Sequence, residues 1–384
     1  MNFEFATAGR LVFGAGAVKE AGPLAKSFGR RALLVTGSNP ARASRLIEIL
    51  HLSGVASVCM GVAGEPDISV VEEGVELGKR EGCDLVMGFG GGSALDAGKA
   101  VAAMLANPGE LLDHLEVIGR GTPLAAPPVP FLAIPTTAGT GAEVTRNAVL
   151  TSKAHRAKVS LRSPLMLPRV ALVDPELAIN LPRGLTASTG LDALTQLIEP
   201  YLSCRANPMT DALCIEGIPR VVRSLRRACE DGGDLAARED MSLASLWGGM
   251  ALANAGLGAV HGLAGPIGGL VPAPHGAVCA ALLPHVMAAN LDALRRRSVG
   301  GETLRRFETI ARLLTGSATA DADDGCRWLS QLVREFRIPS LGSYGVTTAD
   351  EDEIVARAGQ TSSMRGNPVL LEPNELKQIL RAAL

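Results

Sequence analysis

Short apolar runs alternate with helical spacing through the first half of the chain, and beyond it the pattern changes. Residues 31–36, 85–88, 129–134 and 170–173 are rich in aliphatic side chains and short enough to be strands buried on both faces. Between the first of these, residues 41–52 and 70–81 repeat apolar side chains at the three- and four-residue intervals of an amphipathic helix. Strand, helix, strand at such intervals predicts a parallel sheet with covering helices. After about residue 175 the strand signals fade. Helical spacing over 189–202, 210–229, 243–263, 277–294 and 303–314 predicts an all-helical second half. The turn Leu181-Pro182-Arg183-Gly184 marks the change, so the expected organisation is an α/β domain over residues 1–180 and a helical domain over 181–384. A chain of 384 residues gives each half enough length for its own core.

Composition narrows the class. With 37 basic and 39 acidic residues the formal charge is −2, and aromatic residues are 3% of the chain. A nucleic-acid groove needs a basic face and stacking rings, so no nucleic-acid partner is expected. The Arg groups at 220, 223, 226 and 227 and at 295–297 read as solvated helix faces. Seven scattered cysteines with no CxxC pair predict buried thiols in a reducing, cytoplasmic setting. The N-terminus contains Glu4 and has no basic segment before a long apolar run, which argues against a signal peptide.

From Met241 to Leu291 the chain has no Asp, Glu, Lys or Arg, yet the stretch holds His261, His275 and His285. It exceeds the length needed to span a bilayer, but Gly248, Gly249, Gly256, Gly258, Pro266, Gly268, Gly269, Pro272 and Pro274 interrupt it. No basic flank anchors it, so buried core helices are expected and no membrane partner. Burying an unpaired polar group costs roughly 1 to 3 kcal/mol, so imidazoles in such a segment need a hydrogen-bond partner or a metal. Some fifty residues earlier, Gly190-Leu-Asp-Ala-Leu-Thr-Gln196 places the Asp192 carboxylate and the Gln196 amide four apart, on one helix face. An oxygen-ligand helix and a second region carrying two imidazoles can together assemble a first-row divalent metal site. Other readings stay open. Thr189 and Asp192 also have capping-box spacing, Gln196 fits a plain polar helix position, and the imidazoles fit structural roles. His285 is expected to be a packed helix histidine.

Two small-residue loops carry further chemistry. Gly88-Phe-Gly90-Gly91-Gly92-Ser93-Ala-Leu-Asp96-Ala-Gly98-Lys99 follows a predicted strand and opens a helix. Bare amides at a helix N-terminus suit a pyrophosphate, although a tight turn capped by Ser93 and Asp96 would give the same pattern. The segment is neither GxGxxG nor a P-loop. Pro135-Thr136-Thr137-Ala-Gly139-Thr140-Gly141-Ala-Glu143 follows the strand ending at Ile134. Loops after two strands of one parallel sheet converge at its C-terminal edge, where dinucleotides bind.

At these residues the chain resembles the iron-containing (group III) alcohol dehydrogenases, a family related to glycerol dehydrogenase, maleylacetate reductase and dehydroquinate synthase. The similarity rests on Gly90-Gly-Gly-Ser-Ala-Leu-Asp96, Pro135-Thr-Thr-Ala-Gly-Thr-Gly-Ala-Glu143, Gly190-Leu-Asp-Ala-Leu-Thr195, Val260-His-Gly-Leu-Ala264, Pro274-His-Gly276 and Leu282-Leu-Pro-His285. Phe13-Gly14-Ala-Gly16 and Gly366-Asn-Pro368 also fit, so nearly the whole chain is covered. The resemblance implies a Rossmann-like α/β nucleotide-binding domain, an all-α C-terminal domain, and hydride transfer between NAD or NADP and an alcohol, aldehyde or ketone. It also implies a homodimer.

The resemblance implies metal ligands at Asp192, Gln196, His261 and His275, with His261 and His275 as catalytic residues. It implies cofactor contacts at Gly37, Ser38, Gly90, Gly91, Gly92, Ser93, Asp96, Thr136, Thr137, Thr140 and Lys158. Gln196 departs from the family pattern, which has His there. A neutral amide is a poorer ligand, so Fe2+ or Zn2+ is expected to be weakly held or lost. Gly265 stands where many members carry a further His, which predicts a roomier pocket. Gly37-Ser38-Asn39, followed by Arg42 and Arg45, replaces the acid of NAD-preferring members and makes NADP tolerable. A keto-acid reductase resembling maleylacetate reductase and working without metal is the alternative. A lyase resembling dehydroquinate synthase would want Lys and Arg around the metal motifs, which the uncharged stretch lacks. An inactive relative is supported only by Gln196 and Gly265.

Overall fold

The computed structural model describes residues 2–299 and 301–384. The strands are β1 (Leu11–Phe13), β2 (Arg31–Thr36), β3 (Ala56–Gly61), β4 (Leu85–Gly90), β5 (Phe131–Pro135), β6 (Asn147–Ser152), β7 (Ala157–Arg162) and β8 (Val170–Val173). Six of them form one sheet in the order β1-β8-β5-β4-β2-β3, and every pairing is parallel. β6 and β7 make a separate antiparallel hairpin.

The helices of this half are α1 (Ala21–Lys26), α2 (Ser44–Leu52), α3 (Ile68–Arg80), α4 (Gly92–Ala106) and the single turn α5 (Leu111–His114). They cover both faces of the sheet, which is why β4, β5 and β8 are buried throughout and read as unbroken apolar runs. Alternation still decides the two cores. Leu33, Val35, Val86 and Phe131 belong to one, and Ala32, Leu34, Leu85, Met87 and Leu132 to the other. β1 and β3 are the half-exposed edge strands, without the unbroken apolar run that marks the inner ones. The hairpin has clean alternation instead, with Ala148, Leu150 and Ser152 inward.

Chain order reverses between β2 and β4: β3 lies on one side of β2, and β4, β5 and β8 follow on the other. The carboxyl ends of β2 and β4 therefore flank a topological switch point, the place where open parallel sheets bind ligands. Close packing of α4 on β4 depends on glycine. A Cβ at Gly98 would come within 2.8 Å of the Phe131 ring, and one at Gly88 within 2.9 Å of Leu95. Near the N-terminus the Phe13-Gly14-Ala-Gly16 turn is held by buried Asp174, whose carboxylate accepts from the Gly16 and Val18 amides, both at 3.0 Å.

The second compact unit comprises residues 180–384 together with the first few residues of the chain, against 6–179 for the first. Its helices are α6 (Arg183–Leu202), α7 (Pro208–Glu230), α8 (Leu235–Ala255), α9 (Ala259–Leu270), α10 (His275–Arg296), α11 (Gly301–Thr315), α12 (Ala322–Glu335), α13 (Glu351–Ala358) and α14 (Pro373–Ala383). Helix α6 runs through the middle of the bundle, buried from Gly190 to Leu202 and packed on α7, α8 and α10. Small residues allow these approaches: a Cβ at Gly190 would meet Leu225 at 2.3 Å, and one at Gly217 would meet Leu197 at 2.6 Å. The expected helix over 243–263 is two helices. Gly256 takes φ 73°, a conformation open to glycine, and α9 departs from α8 at 97°. Helix α10 is long and apolar enough to cross a membrane, but 78% of its apolar window is buried inside the fold, as in a core helix.

Lys99 joins α4 to the rest of the α/β unit. Its side chain is wholly buried, 3.0 Å from Asp96 Oδ1, and Nζ donates to Ala142 O, Thr145 Oγ1 and Asn147 O. Removing one partner of a buried pair leaves the other uncompensated. Lys99→Met is therefore expected to cost roughly 2 to 4 kcal/mol, read as a lower urea midpoint by circular dichroism; an unchanged midpoint would contradict this role.

Candidate functional site

In the α/β unit the small-residue loops meet at the switch point. Gly90 closes β4 beside Gly37 at the end of β2, where a Cβ on Gly90 would come 3.3 Å from the Gly37 amide nitrogen. Thr136 N donates to Gly90 O at 2.9 Å, so the second loop is tied to the first by main chain. Thr137 lies 3.3 Å from where a Gly91 Cβ would stand, and Thr140 lies 2.9 Å from that of Gly92. Helix α4 starts at Gly92 with no side-chain cap. Ser93 in its first turn is therefore not a capping residue, and the helix N-terminus presents main-chain amides to an anion.

Asp96 faces inward. Its Oδ2 accepts from Val149 N at 3.1 Å and its Oδ1 pairs with Lys99, which gives it a scaffold role one turn below the glycines. Lys158, on β7, is held by Glu65 at 2.5 Å. Gly37 has open space where a side chain would go, and Asn39 caps the following turn through Ala41 N. Arg42 donates to Leu177 O at 3.2 Å and Arg45 lies 3.9 Å from Glu176, so both are engaged at the 3-10 turn Pro175–Ala178. Glu143 ends the second loop in full burial. Burial pushes its carboxyl up to about 7, with the Lys99 charge opposing.

In the helical unit three helices bring donors together. Asp192, Gln196 and Glu199 lie on one buried face of α6. Thr189 is inside this helix, its Oγ1 donating to Leu185 O at 2.8 Å, so the capping-box alternative fails. His261 is in the first turn of α9, while His275 and Cys279 are one turn apart on α10. His261 Nε2 lies 3.3 Å from Asp192 Oδ1, His275 Nε2 lies 4.0 Å from the same oxygen, and Cys279 Sγ is 3.6 Å from His275 Nε2. One ligand atom from each of these four residues fits within 4.8 Å of all the others. The glycine of Pro274-His-Gly276 makes the approach possible, since a Cβ there would be 2.7 Å from Ser188 O on α6.

Glu199 fixes the His261 ring. Its Oε2 is 2.6 Å from Nδ1, and its Oε1 accepts from Val260 N at 2.7 Å, satisfying an amide at the start of α9. Asn367, in Gly366-Asn-Pro368, accepts from the adjacent Ala259 N at 3.0 Å and exchanges hydrogen bonds with Asn290. With Nδ1 committed to a carboxylate, Nε2 is the ring nitrogen left for ligation. Burial pushes the His261 pKa down but is outweighed by the Cys279 sulfur, the Glu199 carboxylate and Asp192, and the net result lies well above the ordinary value. Burial likewise pushes Asp192 up, yet the His275 and His261 charges hold it below the usual range.

Buried polar atoms almost always have partners. Here Asp192 Oδ1, Gln196 Oε1 and His261 Nε2 are buried without one, the first and last of them close together but not aligned to hydrogen bond. A carboxylate, two imidazoles and a sulfur around a common point is a donor set that fits a divalent transition metal.

Comparison with known proteins agrees with this chemistry. The family model described as iron-containing alcohol dehydrogenase matches residues 8–175, and the C-terminal model of the Fe-containing alcohol dehydrogenase family matches residues 186–384. The chain belongs to the iron-containing alcohol dehydrogenase family. It is 36% identical to the 1,3-propanediol dehydrogenase of Klebsiella pneumoniae, over 97% of this chain and 96% of that one. The NAD-dependent methanol dehydrogenase of Bacillus methanolicus is 35% identical, over 97% of each chain. A crystal structure of 1,3-propanediol oxidoreductase superimposes with a TM-score of 0.92 at 34% identity, covering 100% of both chains. This protein is accordingly an NAD(P)-dependent oxidoreductase acting between alcohols and carbonyl compounds.

In this member of the iron-containing alcohol dehydrogenase family, Glu199 and Cys279 are the site residues that sequence reasoning missed. Both had a signal. Glu199 follows Asp192 by seven and Cys279 follows His275 by four, each on the same helix face. Gly265 has open space where a Cβ would point. His285 is half-buried two turns beyond Cys279, its pKa lowered by burial.

The glycine turn yields one expected outcome. Gly91 has φ −77° and ψ −171°, which any residue adopts, so Gly91→Val should fold. Its branched side chain would crowd Thr137 and the amides of α4, and the dinucleotide dissociation constant should rise at least about tenfold. Titration followed by nicotinamide fluorescence checks this, and unchanged binding would move the cofactor elsewhere.

Glu143 yields a second. Its folded pKa lies above the unfolded one, so the folded state binds the extra proton and stability falls as pH rises from about 4.5 through about 7. Between pH 5 and 8 the native protein should lose on the order of 3 kcal/mol more than Glu143→Gln. Parallel denaturation midpoints of the two proteins would contradict this.

Proposed function

We propose that this enzyme interconverts small alcohols and their aldehydes or ketones with NAD, and that the substrate oxygen is polarised by a divalent metal held by Asp192, His261 and His275. The observation that carries the proposal is the convergence of buried donors, among which Asp192 Oδ1 and His261 Nε2 lie 3.3 Å apart without an aligned hydrogen bond to each other or to any other group. When bound, such a cation draws charge from the oxygen on which it builds up during hydride transfer.

The chain's own residues do the rest. Asp192 supplies the negative charge that holds a cation in an apolar surround, and Glu199 keeps the His261 ring turned so that Nε2 faces it. Glu199 also ties that ring to the first turn of α9 through Val260 N. Gly265, one turn after His261, leaves room beside the donors. In the α/β unit Gly90, Gly91 and Gly92 with the uncapped start of α4 take the pyrophosphate, Thr136, Thr137 and Thr140 wall it, and Gly37 and Ser38 face the adenosine ribose. The 1,3-propanediol and methanol dehydrogenases to which the chain is similar support a small-alcohol substrate, and the latter supports NAD. Arg42 and Arg45 make exposed contacts to Leu177 O and Glu176, and the comparison of NAD with NADP turnover below reads whether either is drawn to a 2′-phosphate. Seven cysteines, none of them in a disulfide, fit a reducing cytoplasm.

Steady-state turnover with methanol, propanol, 1,3-propanediol and their aldehydes, with NAD and NADP, tests the proposal before and after metal removal. Chelation should lower kcat by about a hundredfold or more, and added Zn2+ or Fe2+ should restore it. Full activity after complete metal removal would overturn the metal's role and favour a metal-free keto-acid reductase.

A further inference from the structure

Cys279 occupies an unusual place for a structural thiol. Most buried cysteines act as small apolar side chains. The Cys279 side chain is wholly buried, yet its sulfur lies 3.6 Å from His275 Nε2 and within 4.8 Å of ligand atoms of Asp192 and His261. We propose that Cys279, rather than Gln196, supplies the fourth protein donor of the metal site, and that it turns the site's preference from iron toward zinc. This rests on the metal-assisted function above.

Distances support it. Four protein donors around one ion at bond lengths of about 2.0 to 2.3 Å, with a fifth position open to the substrate oxygen, stand roughly 3 to 4 Å from one another. The corresponding separations here are 3.3 Å for Asp192 to His261, 4.0 Å for Asp192 to His275, and 3.6 Å for His275 to Cys279. Every other pair among the four lies within 4.8 Å. Helix α10 delivers His275 and Cys279 as a pair, one turn apart on one face, so no loop has to order for the sulfur to bind.

Chemistry separates the two candidates for the fourth position. Gln196 offers a neutral amide oxygen, a weak donor to a first-row transition metal. A thiolate is anionic and soft, which selects zinc over ferrous iron. Metal binding would form the metal–sulfur bond and release the thiol proton to solvent. With Asp192 the two anionic donors then balance the divalent charge within the donor set, and the Glu199 carboxylate stands outside it on the far side of the His261 ring.

Cobalt(II) titration of the metal-free full-length protein tests this. One equivalent should give a near-ultraviolet thiolate-to-cobalt charge-transfer band, retained in Gln196→Ala and lost in Cys279→Ser. In competition, the preference for zinc over ferrous iron should fall at least about tenfold in Cys279→Ser. X-ray absorption of the zinc-loaded native protein needs no variant and should show one sulfur at about 2.3 Å. Cobalt bound with ligand-field bands alone, or zinc with only nitrogen and oxygen neighbours, would overturn the assignment while leaving the metal-assisted function standing. Failure to bind any ion would overturn both.

Discussion

The contact on which the helical unit turns is that of the Glu199 carboxylate with Val260 N and His261 Nδ1. A carboxylate 5% exposed inside a helical core is tolerated only when its oxygens are engaged. Here one oxygen satisfies a main-chain donor that the start of α9 leaves open, and the other orients an imidazole. The same group thus settles where α9 begins and which ring nitrogen faces Asp192. Gly258 must lack a side chain for this, because a Cβ there would stand 2.8 Å from Glu199 Oε1 and 3.0 Å from Asn367 Oδ1. Backbone geometry, capping and ligand orientation are one problem at this point, solved by one residue.

How much of this was legible from sequence depended on where each signal lives. Strands β2, β4, β5 and β8 are covered on both faces, and their aliphatic runs announce them. Edge strands β1 and β3 lack that run, and the hairpin carries its information as alternation, so a search for continuous apolar segments passes over all four. Within 241–291 the absence of charge removes the polar face that would distinguish one helix from the next. Spacing alone therefore continued a helix through Gly256, where positive φ ends it.

The donor set divides in the same way. Asp192, His261 and His275 stood out as polar groups in apolar surroundings. Cys279 did not, because a cysteine in an apolar helix looks like core, and only the approach of α6 and α9 to α10 gives its sulfur polar neighbours. Asp96 shows the converse. Its position beside the glycines suggested contact with the cofactor, and the spacing gave no sign of the partners its carboxylate has in the fold, Lys99 and Val149 N. Spacing tells which residues share a face; it does not tell what the face meets.

Gly265 gives the helical unit a vacancy of a particular kind. A Cβ added there would meet nothing within 4 Å, whereas one at Gly262 on the same helix would stand 2.9 Å from Met364 and one at Gly258, just before it, 2.8 Å from Glu199. A first side-chain carbon is accepted there without displacing a neighbour, so natural variation or directed evolution can begin to reshape the adjoining space by single substitutions without first loosening the scaffold.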